Sequence, residues 1–215
     1  MSRTYAECGS PQLFAYRIKM TKRMLLRLTV LSSLLASLPS ILNAAPAPAN
    51  QGAPAASSGA ITLAPGTRIA ARDTGAVLAS MARAHAIQTV RGNGTRTLYV
   101  FSDPDCSYCK RLERTLERID NVTIHTFLYP LEGLHPQAAA HARGVWCAND
   151  RNAAWKAWMI DNVQPAAGTC AAPLAQIRAL GLALGLRGTP TLFNANGRMT
   201  SGAVSAPVIE TLLND

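Results

Sequence analysis

The sequence predicts an α/β domain organised around one cysteine motif. Short apolar runs typical of buried strands alternate along the chain with segments whose apolar residues recur at helical spacing. A Cys-x-x-Cys motif, Cys106 to Cys109, lies between the first clear strand, Leu98 to Phe101, and the helix that follows. The intervening Asp103–Asp105 contains a proline and two aspartates, which end the strand and favour a helix start.

The segment before this strand predicts a small N-terminal addition. We expect a short strand within Ile61–Arg72 and a helix capped by Asp73. His85, which lies on that helix, is interpreted as a surface or boundary residue. Gly92–Gly94 predicts a turn that leads into the central strand.

The elements after the motif follow in a regular order. They are a strand, two helices that form an insertion, a third helix, a strand that opens at Thr189-Pro190, a hairpin and a last helix. We expect them at Val122–Tyr129, Gln137–Asn149, Arg151–Ile160, Leu174–Leu184, Thr191–Phe193, Asn194–Gly197 and Val204–Leu213, the last with Val208, Ile209 and Leu212 inward.

The place of the cysteine motif at a helix N-terminus predicts thiol chemistry. A helix start carries partial positive charge and free N–H groups, which stabilise a thiolate over a thiol. We expect Cys106 to be the partly exposed nucleophile, and Cys109 to be more buried and to resolve a mixed disulfide. The two basic residues after the motif are expected to stabilise the thiolate further, whereas the aspartates before it oppose ionisation.

A structural zinc site is the simplest alternative for a cysteine pair. Such a site needs a second cysteine pair, or a Cys/His pair at short spacing. The other downstream cysteines, Cys147 and Cys170, stand alone, and no histidine lies at ligand spacing. The pattern therefore favours a redox pair and predicts no metal site.

The N-terminal region predicts export. Residues 20–47 contain basic residues, an apolar core of 11 residues from Leu28 to Leu38, and small residues suited to cleavage. The core is too short to span a bilayer. We expect residues 1–19 to be a misassigned extension, 48–60 a disordered Ala/Pro linker, 61–94 a short segment with a linking helix, and 95–215 the catalytic domain.

The formal net charge of +9 does not indicate a nucleic-acid partner. Six of the 21 basic residues but only one of the 12 acidic residues precede Ala45, so the exported part carries +4. A charge of that size suits ordinary solubility. We expect neither nucleic-acid binding nor membrane insertion of the mature chain.

Cys147 and Cys170 are interpreted as a structural disulfide. With Cys8 lying before the signal, the exported part has four cysteines, an even number that suits an oxidising compartment. A bond between Cys147 and Cys170 would close a loop of about 24 residues, worth roughly 3 kcal/mol in the chain-entropy model.

Three stretches together carry a family resemblance. They are FSDPDCSYCKRLE (Phe101–Glu113), GVWCANDRNAAW (Gly144–Trp155) and LGLRGTPTLF (Leu184–Phe193), to which the lone Cys170 is added. Over about residues 87–214 the chain resembles the catalytic domain of the DsbC/DsbG family of periplasmic disulfide isomerases. The resemblance implies a thioredoxin-like fold with a helical insertion between the second strand and the cis-proline strand.

The resemblance also implies roles for individual residues. Cys106 would attack, Cys109 would resolve, and the second cysteine pair would form the structural disulfide. Pro190 would be the cis-proline that faces Cys106, and Thr189 would tune the thiolate and help to bind an extended substrate strand. Tyr108 matches isomerase-like members of the family, and the histidine of the strongly oxidising DsbA type is absent.

The function implied is that of a periplasmic disulfide isomerase or reductase acting on exported, cysteine-containing polypeptides. It would need no cofactor beyond its own redox-active disulfide and would receive electrons from a DsbD-like membrane thiol reductant. A monomeric thiol oxidant and a Cu(I)-binding module stay open as alternatives. Too few residues precede Thr97 for the family's full N-terminal dimerisation domain, so we expect the chain to lack it and leave the oligomeric state open.

Overall fold

A five-stranded mixed sheet forms the centre of the structure, a computed structural model that describes residues 63–215. The strand order is β1-β3-β2-β4-β5. The strands are β1 (Ile87–Arg91), β2 (Arg96–Ser102), β3 (Val122–Leu128), β4 (Thr191–Asn194) and β5 (Met199–Ser201). The helices are α1 (Thr74–His85), α2 (Ser107–Leu116), α3 (Ala138–Cys147), α4 (Arg151–Met159), α5 (Leu174–Ala183) and α6 (Ala206–Asn214).

The register of the sheet brings the ends of β2 and β4 together. β2 runs parallel to β3, with Leu98 opposite Ile124, and antiparallel to β4, with Phe101 opposite Thr191. β1 and β5 complete the two edges in antiparallel pairings. The predicted α/β class and the order of elements after residue 95 are confirmed.

The central strand β2 is covered on both faces. Leu98 and Val100 pack on the side of α2 and α6, whereas Tyr99 and Phe101 pack on the side of α1 and α5. Burial on both faces explains why this strand reads as a continuous apolar run rather than an alternating one.

The insertion formed by α3 and α4 packs over the cysteine motif. Trp146 and Trp155 belong to the same buried cluster as Cys106 and Cys109. The insertion also reaches the edge of the sheet, because Asn152 Nδ2 donates to the backbone carbonyl of Gln88 on β1 at 2.9 Å and Asn152 Oδ1 accepts from the Thr89 hydroxyl at 2.7 Å.

Some expectations for the N-terminal part are wrong. Residues 63–72 contain no strand and instead end in a short 3-10 turn, Ala71–Asp73; residues 61–62 lie outside the described part. Asp73 does precede α1, but its side chain makes no capping hydrogen bond. His85 is buried rather than at the surface, and its Nδ1 lies 3.1 Å from the carbonyl oxygen of Met81.

Two further details differ from the sequence interpretation. β1 was not predicted, and Val208 on α6 is 43% exposed although it was expected to face inward. The predicted leader, extension and linker, residues 1–60, lie outside the described residues, so the domain bounds stay predictions. Among residues 63–215, no helix combines the length and apolar character that crossing a membrane requires.

Candidate active site

The turn between β2 and α2 places both cysteines at the start of a helix. The backbone of Cys106 is extended, with φ −77° and ψ 121°, and α2 begins at the next residue. Cys106 is therefore the N-cap residue, and Cys109 lies in the first turn. Cys106 is 7% exposed and Cys109 is fully buried, so the order of exposure is as expected, although Cys106 is itself mostly covered.

The surroundings of Cys106 favour its ionised form. A hydrogen bond from the Cys109 side chain is the largest cause that lowers the pKa of Cys106, to about 5. Burial opposes this, while the backbone N–H groups of Cys109 and Tyr108 and the Thr189 side chain lower the pKa further. The two backbone donors are free N–H groups of a helix start, as the position of the motif predicts.

Cys109 has the opposite character. Burial raises its pKa most, and the neighbouring Cys106 sulfur raises it further because two adjacent negative charges repel each other. The backbone N–H of Asp103 donates to Cys109 Sγ at 3.4 Å. At neutral pH the pair is therefore a Cys106 thiolate beside a Cys109 thiol.

The loop before β4 closes the site from the other side. The peptide bond between Thr189 and Pro190 is cis, and the Thr189 carbonyl oxygen lies 3.7 Å from Cys106 Sγ. Thr189 Oγ1 is buried and has no hydrogen-bond partner within residues 63–215. This hydroxyl is free to donate to the sulfur once Cys106 has lost its proton.

The basic residues after the motif contact aromatic rings, and their effect on the Cys106 thiolate stays a prediction. Lys110 Nζ lies 3.9 Å above the Trp158 ring and donates to Asn162 Oδ1 at 2.8 Å. The Arg111 guanidinium lies 4.9 Å from the centre of the Tyr108 ring. Tyr108 itself is 55% exposed beside the buried cysteine pair.

The aspartates before the motif each bind a histidine that the sequence interpretation did not include. Asp103 Oδ2 accepts from His135 Nδ1 at 3.0 Å, and Asp105 Oδ1 accepts from His141 Nδ1 at 2.7 Å. Both histidines follow β3, about 30 residues from their partners in sequence. Only the spacing of His135 and His141 near the start of the insertion could have suggested them, and that signal is weak.

A buried carboxylate lies one turn after the motif. Burial is the largest cause that raises the pKa of Glu113, to about 7, while the Trp155 side chain and Arg91 lower it. Glu113 Oε1, Arg91 Nε and Trp155 Nε1 are buried without hydrogen-bond partners in the described part of the chain. All three residues line a cavity of about 210 Å³ between α2, α4 and the β1–β3 edge.

The other two cysteines in residues 63–215, Cys147 and Cys170, are bonded to each other. Cys147 ends α3, and its disulfide with Cys170 fixes the loop that precedes α5, with the two Cα atoms 5.6 Å apart. In residues 63–215, His, Cys, Asp and Glu side chains form no group of three or more that could hold a metal ion.

The comparison with known families identifies the domain. The sequence model for the thioredoxin-like domain matches residues 83–215, more than half of the chain. The chain belongs to the thioredoxin-like domain family. This assignment confirms the fold predicted from the order of elements and from the cysteine motif.

Relatives of this thioredoxin-like protein carry the name that the sequence resemblance predicted. A probable thiol:disulfide interchange protein DsbC from Bordetella parapertussis is 44% identical over 128 residues, which are 60% of this chain and 45% of the relative. The thiol:disulfide interchange protein DsbC of Escherichia coli is 33% identical over 106 residues, covering 48% of this chain and 44% of that protein. The thioredoxin-like protein thus matches slightly less than half the length of these relatives.

A solved structure supports the same assignment. The disulfide interchange protein from Neisseria gonorrhoeae is 45% identical and superposes with a TM-score of 0.57. The match covers 60% of the thioredoxin-like chain and 93% of the Neisseria chain. The predicted resemblance to DsbC-type proteins is therefore confirmed.

Proposed function

We propose that this protein is a periplasmic thiol:disulfide oxidoreductase of the isomerase or reductase type. The observation that carries the proposal is the pairing of a stabilised Cys106 thiolate with a buried Cys109 thiol beside the Thr189-Pro190 loop. A low thiol pKa supplies the nucleophile for disulfide exchange, and a second thiol within reach supplies the resolving group. The DsbC name of the relatives supports the same chemistry.

The proposed exchange begins at Cys106. Its thiolate attacks one sulfur of a substrate disulfide, which forms a mixed disulfide and releases the other substrate sulfur as a thiolate. In isomerisation, that released thiolate attacks a different disulfide of the substrate, and the substrate thiolate freed by this attack then attacks the mixed disulfide, so that a new substrate disulfide forms and Cys106 leaves as a thiolate. In reduction, Cys109 loses its proton and attacks Cys106 Sγ, so that the substrate gains two electrons and the Cys106–Cys109 pair becomes a disulfide.

The substrates proposed are exported polypeptides that contain cysteine. The Thr189 backbone lies beside the sulfur at the mouth of β4, where it could hold an extended substrate segment by main-chain hydrogen bonds. Tyr108, which lies between the two cysteines in sequence, is exposed and is proposed to contact the substrate as well. No cofactor is required, because the cysteine pair itself carries the two electrons.

The proposed compartment is supported by the sequence, and the proposed chemistry requires an electron donor. The predicted secretory signal at residues 20–47 supports a periplasmic location. A protein that works as a reductant or isomerase in an oxidising compartment must be re-reduced after each oxidation. A membrane thiol reductant of the DsbD type is the partner proposed for this step.

The test is the reaction of the full-length exported protein with a disulfide-scrambled secreted substrate. We expect Cys106→Ala to abolish recovery of the native substrate, and Cys109→Ala to accumulate a mixed disulfide that non-reducing electrophoresis detects. The Cys147→Ala/Cys170→Ala variant, which leaves the motif intact, is the matched control. Full turnover by Cys106→Ala would refute the proposal.

The redox state of the pair in cells separates the proposal from its alternatives. Acid quenching and alkylation with a mass-tagged maleimide should show Cys106 and Cys109 mostly reduced. A mostly oxidised pair would replace the isomerase proposal with a thiol oxidant. Stoichiometric copper that is lost in Cys106→Ala, with no disulfide exchange, would replace it with a Cu(I)-binding module.

A further inference from the structure

Two aspartates precede Cys106 by three residues and by one residue, and both would oppose its ionisation. Asp103 is fully buried, and its side chain accepts hydrogen bonds from the backbone N–H groups of Leu131 and Asp105, each at 2.7 Å. A buried carboxylate next to a thiolate costs free energy unless a positive charge compensates for it. The molecule nevertheless holds Cys106 in a form that ionises easily.

His135 is the basic side chain that contacts the buried Asp103. Its Nδ1 lies 3.0 Å from Asp103 Oδ2, and because a carboxylate only accepts hydrogen bonds, the imidazole nitrogen is the donor. The hydrogen bond to Asp103 is the largest cause that raises the pKa of His135, and the charges of Asp103, Cys106 and Asp105 raise it further. Partial burial opposes this rise, but His135 keeps 29% of its side chain exposed.

The same contacts connect His135 to both cysteines. Asp103, which His135 binds through the side chain, donates its backbone N–H to Cys109 Sγ at 3.4 Å. His135 thus reaches the cysteine motif through Asp103, which begins the turn that leads to Cys106. In the second pair, His141 Nδ1 binds Asp105, the residue directly before Cys106. His141 also contacts Gln164, whose Nε2 lies 3.2 Å from His141 Nε2.

We propose that His135 is a positioning residue whose imidazolium balances the buried Asp103 before the motif and thereby lets Cys106 carry a negative charge. The benefit of a charged Cys106 rests on the proposed function, but the experiment that tests the role of His135 does not. It makes the reactivity of Cys106 depend on the protonation of a residue that belongs to the segment after β3, outside the motif. The groups that face His135 are Asp103 and Asp105 in the turn and Cys106 at the start of α2.

The test is the pH profile of Cys106 alkylation in the full-length protein, with iodoacetamide as the probe between pH 3.5 and 9. His135→Gln keeps a donor for Asp103 but removes the charge, so the midpoint of the profile should move to higher pH. A rise by one pH unit from a midpoint near 5 would lower the alkylation rate at pH 5 by about fivefold. His135→Lys keeps a positive charge and should retain a midpoint close to that of the unmodified protein.

The controls distinguish charge from structure. Urea unfolding of each variant measures stability separately, and His85→Gln, at a histidine on α1 whose Nδ1 lies near the Met81 carbonyl oxygen, is the control for loss of an imidazole away from the cysteine motif. An unchanged midpoint in folded His135→Gln would overturn the inference, as would an equal shift in His135→Gln and His135→Lys. Alkylation needs no disulfide substrate, so a protein that fails to exchange disulfides but shows the shift would refute only the proposed function.

Discussion

The sulfur of Cys106 lies 3.7 Å from the backbone carbonyl oxygen of Thr189, although 83 residues separate them in sequence. The antiparallel pairing of β2 with β4 produces this contact, because it aligns the end of β2 with the beginning of β4. The loop before β4 therefore meets the helix start that follows β2. One pair of strands therefore brings together the sulfur proposed as the nucleophile and the main chain proposed to bind a polypeptide substrate.

Replacing Thr189 with valine should raise the pKa of Cys106. Valine keeps the shape of threonine but lacks the hydroxyl, which is buried and unpartnered among residues 63–215 and lowers the pKa of the thiol. We expect the alkylation midpoint of Cys106 to rise while the free energy of unfolding changes little. Thr191→Val, which removes a hydroxyl bonded to Gly188 instead, is the matched control. An unchanged midpoint in Thr189→Val would show that the backbone donors suffice.

Removing the second disulfide should affect stability more than thiol chemistry. The Cys147→Ala/Cys170→Ala variant frees a loop whose ends are 23 residues apart in sequence, and about 3 kcal/mol of unfolding free energy should be lost. Urea unfolding under oxidising conditions measures this loss. The alkylation midpoint of Cys106 should stay near 5 in the folded variant. A stability equal to that of the unmodified protein would contradict a structural role for this bond.

Glu113 should make the protein less stable as the pH rises towards 7. The folded-state pKa of about 7 exceeds the ordinary value of 4.5, so the folded protein retains a proton that the unfolded chain has lost. The cost develops between pH 4.5 and 7 and reaches up to about 3 kcal/mol above that range. Glu113→Gln should remove this dependence and stabilise the protein at pH 8 but hardly at pH 4.5. Urea unfolding at both pH values measures this difference in stability, and Glu132→Gln, at an exposed residue, is the control. Equal effects of Glu113→Gln at the two pH values would contradict the prediction.

Gly75→Ala should destabilise the protein despite its position in a helix. Alanine is favoured over glycine in helices by about 1 kcal/mol, but a Cβ at Gly75 would lie 2.2 Å from the backbone carbonyl oxygen of Ala195. A backbone atom in the turn between β4 and β5 cannot move aside cheaply, so we expect a net loss of about 2 kcal/mol. Gly133→Ala, where a Cβ would meet no atom within 4 Å, is the control. A gain in stability at Gly75 would refute the close approach.

The sequence predicts the centre of the fold well because its signals there are local. β2, the turn and α2 follow one another within 21 residues, and the apolar run, the proline and the helical spacing specify each in turn. The long elements after the motif are predicted for the same reason. Their order, together with the cysteine and Thr-Pro motifs, is enough to specify the thioredoxin-like fold.

The features that the sequence does not predict depend on contacts between distant segments. Only Ile87 in β1 is buried, so this edge strand has no apolar pattern of its own and is formed by its pairing with β3. His85 is buried because α1 packs closely on the sheet. The histidine partners of Asp103 and Asp105 become visible only when the segment after β3 is folded against the motif.

The contact between Asn152 and β1 has a consequence for solubility. An outer strand with unpaired main-chain groups is a template on which other chains can add strands and aggregate. Asn152 binds the main chain at Gln88 and the hydroxyl of Thr89, so the α3–α4 insertion obstructs the addition of another strand at this edge. The proposed substrates are unfolded polypeptides, which could otherwise add as strands to this edge of the sheet and aggregate with the protein.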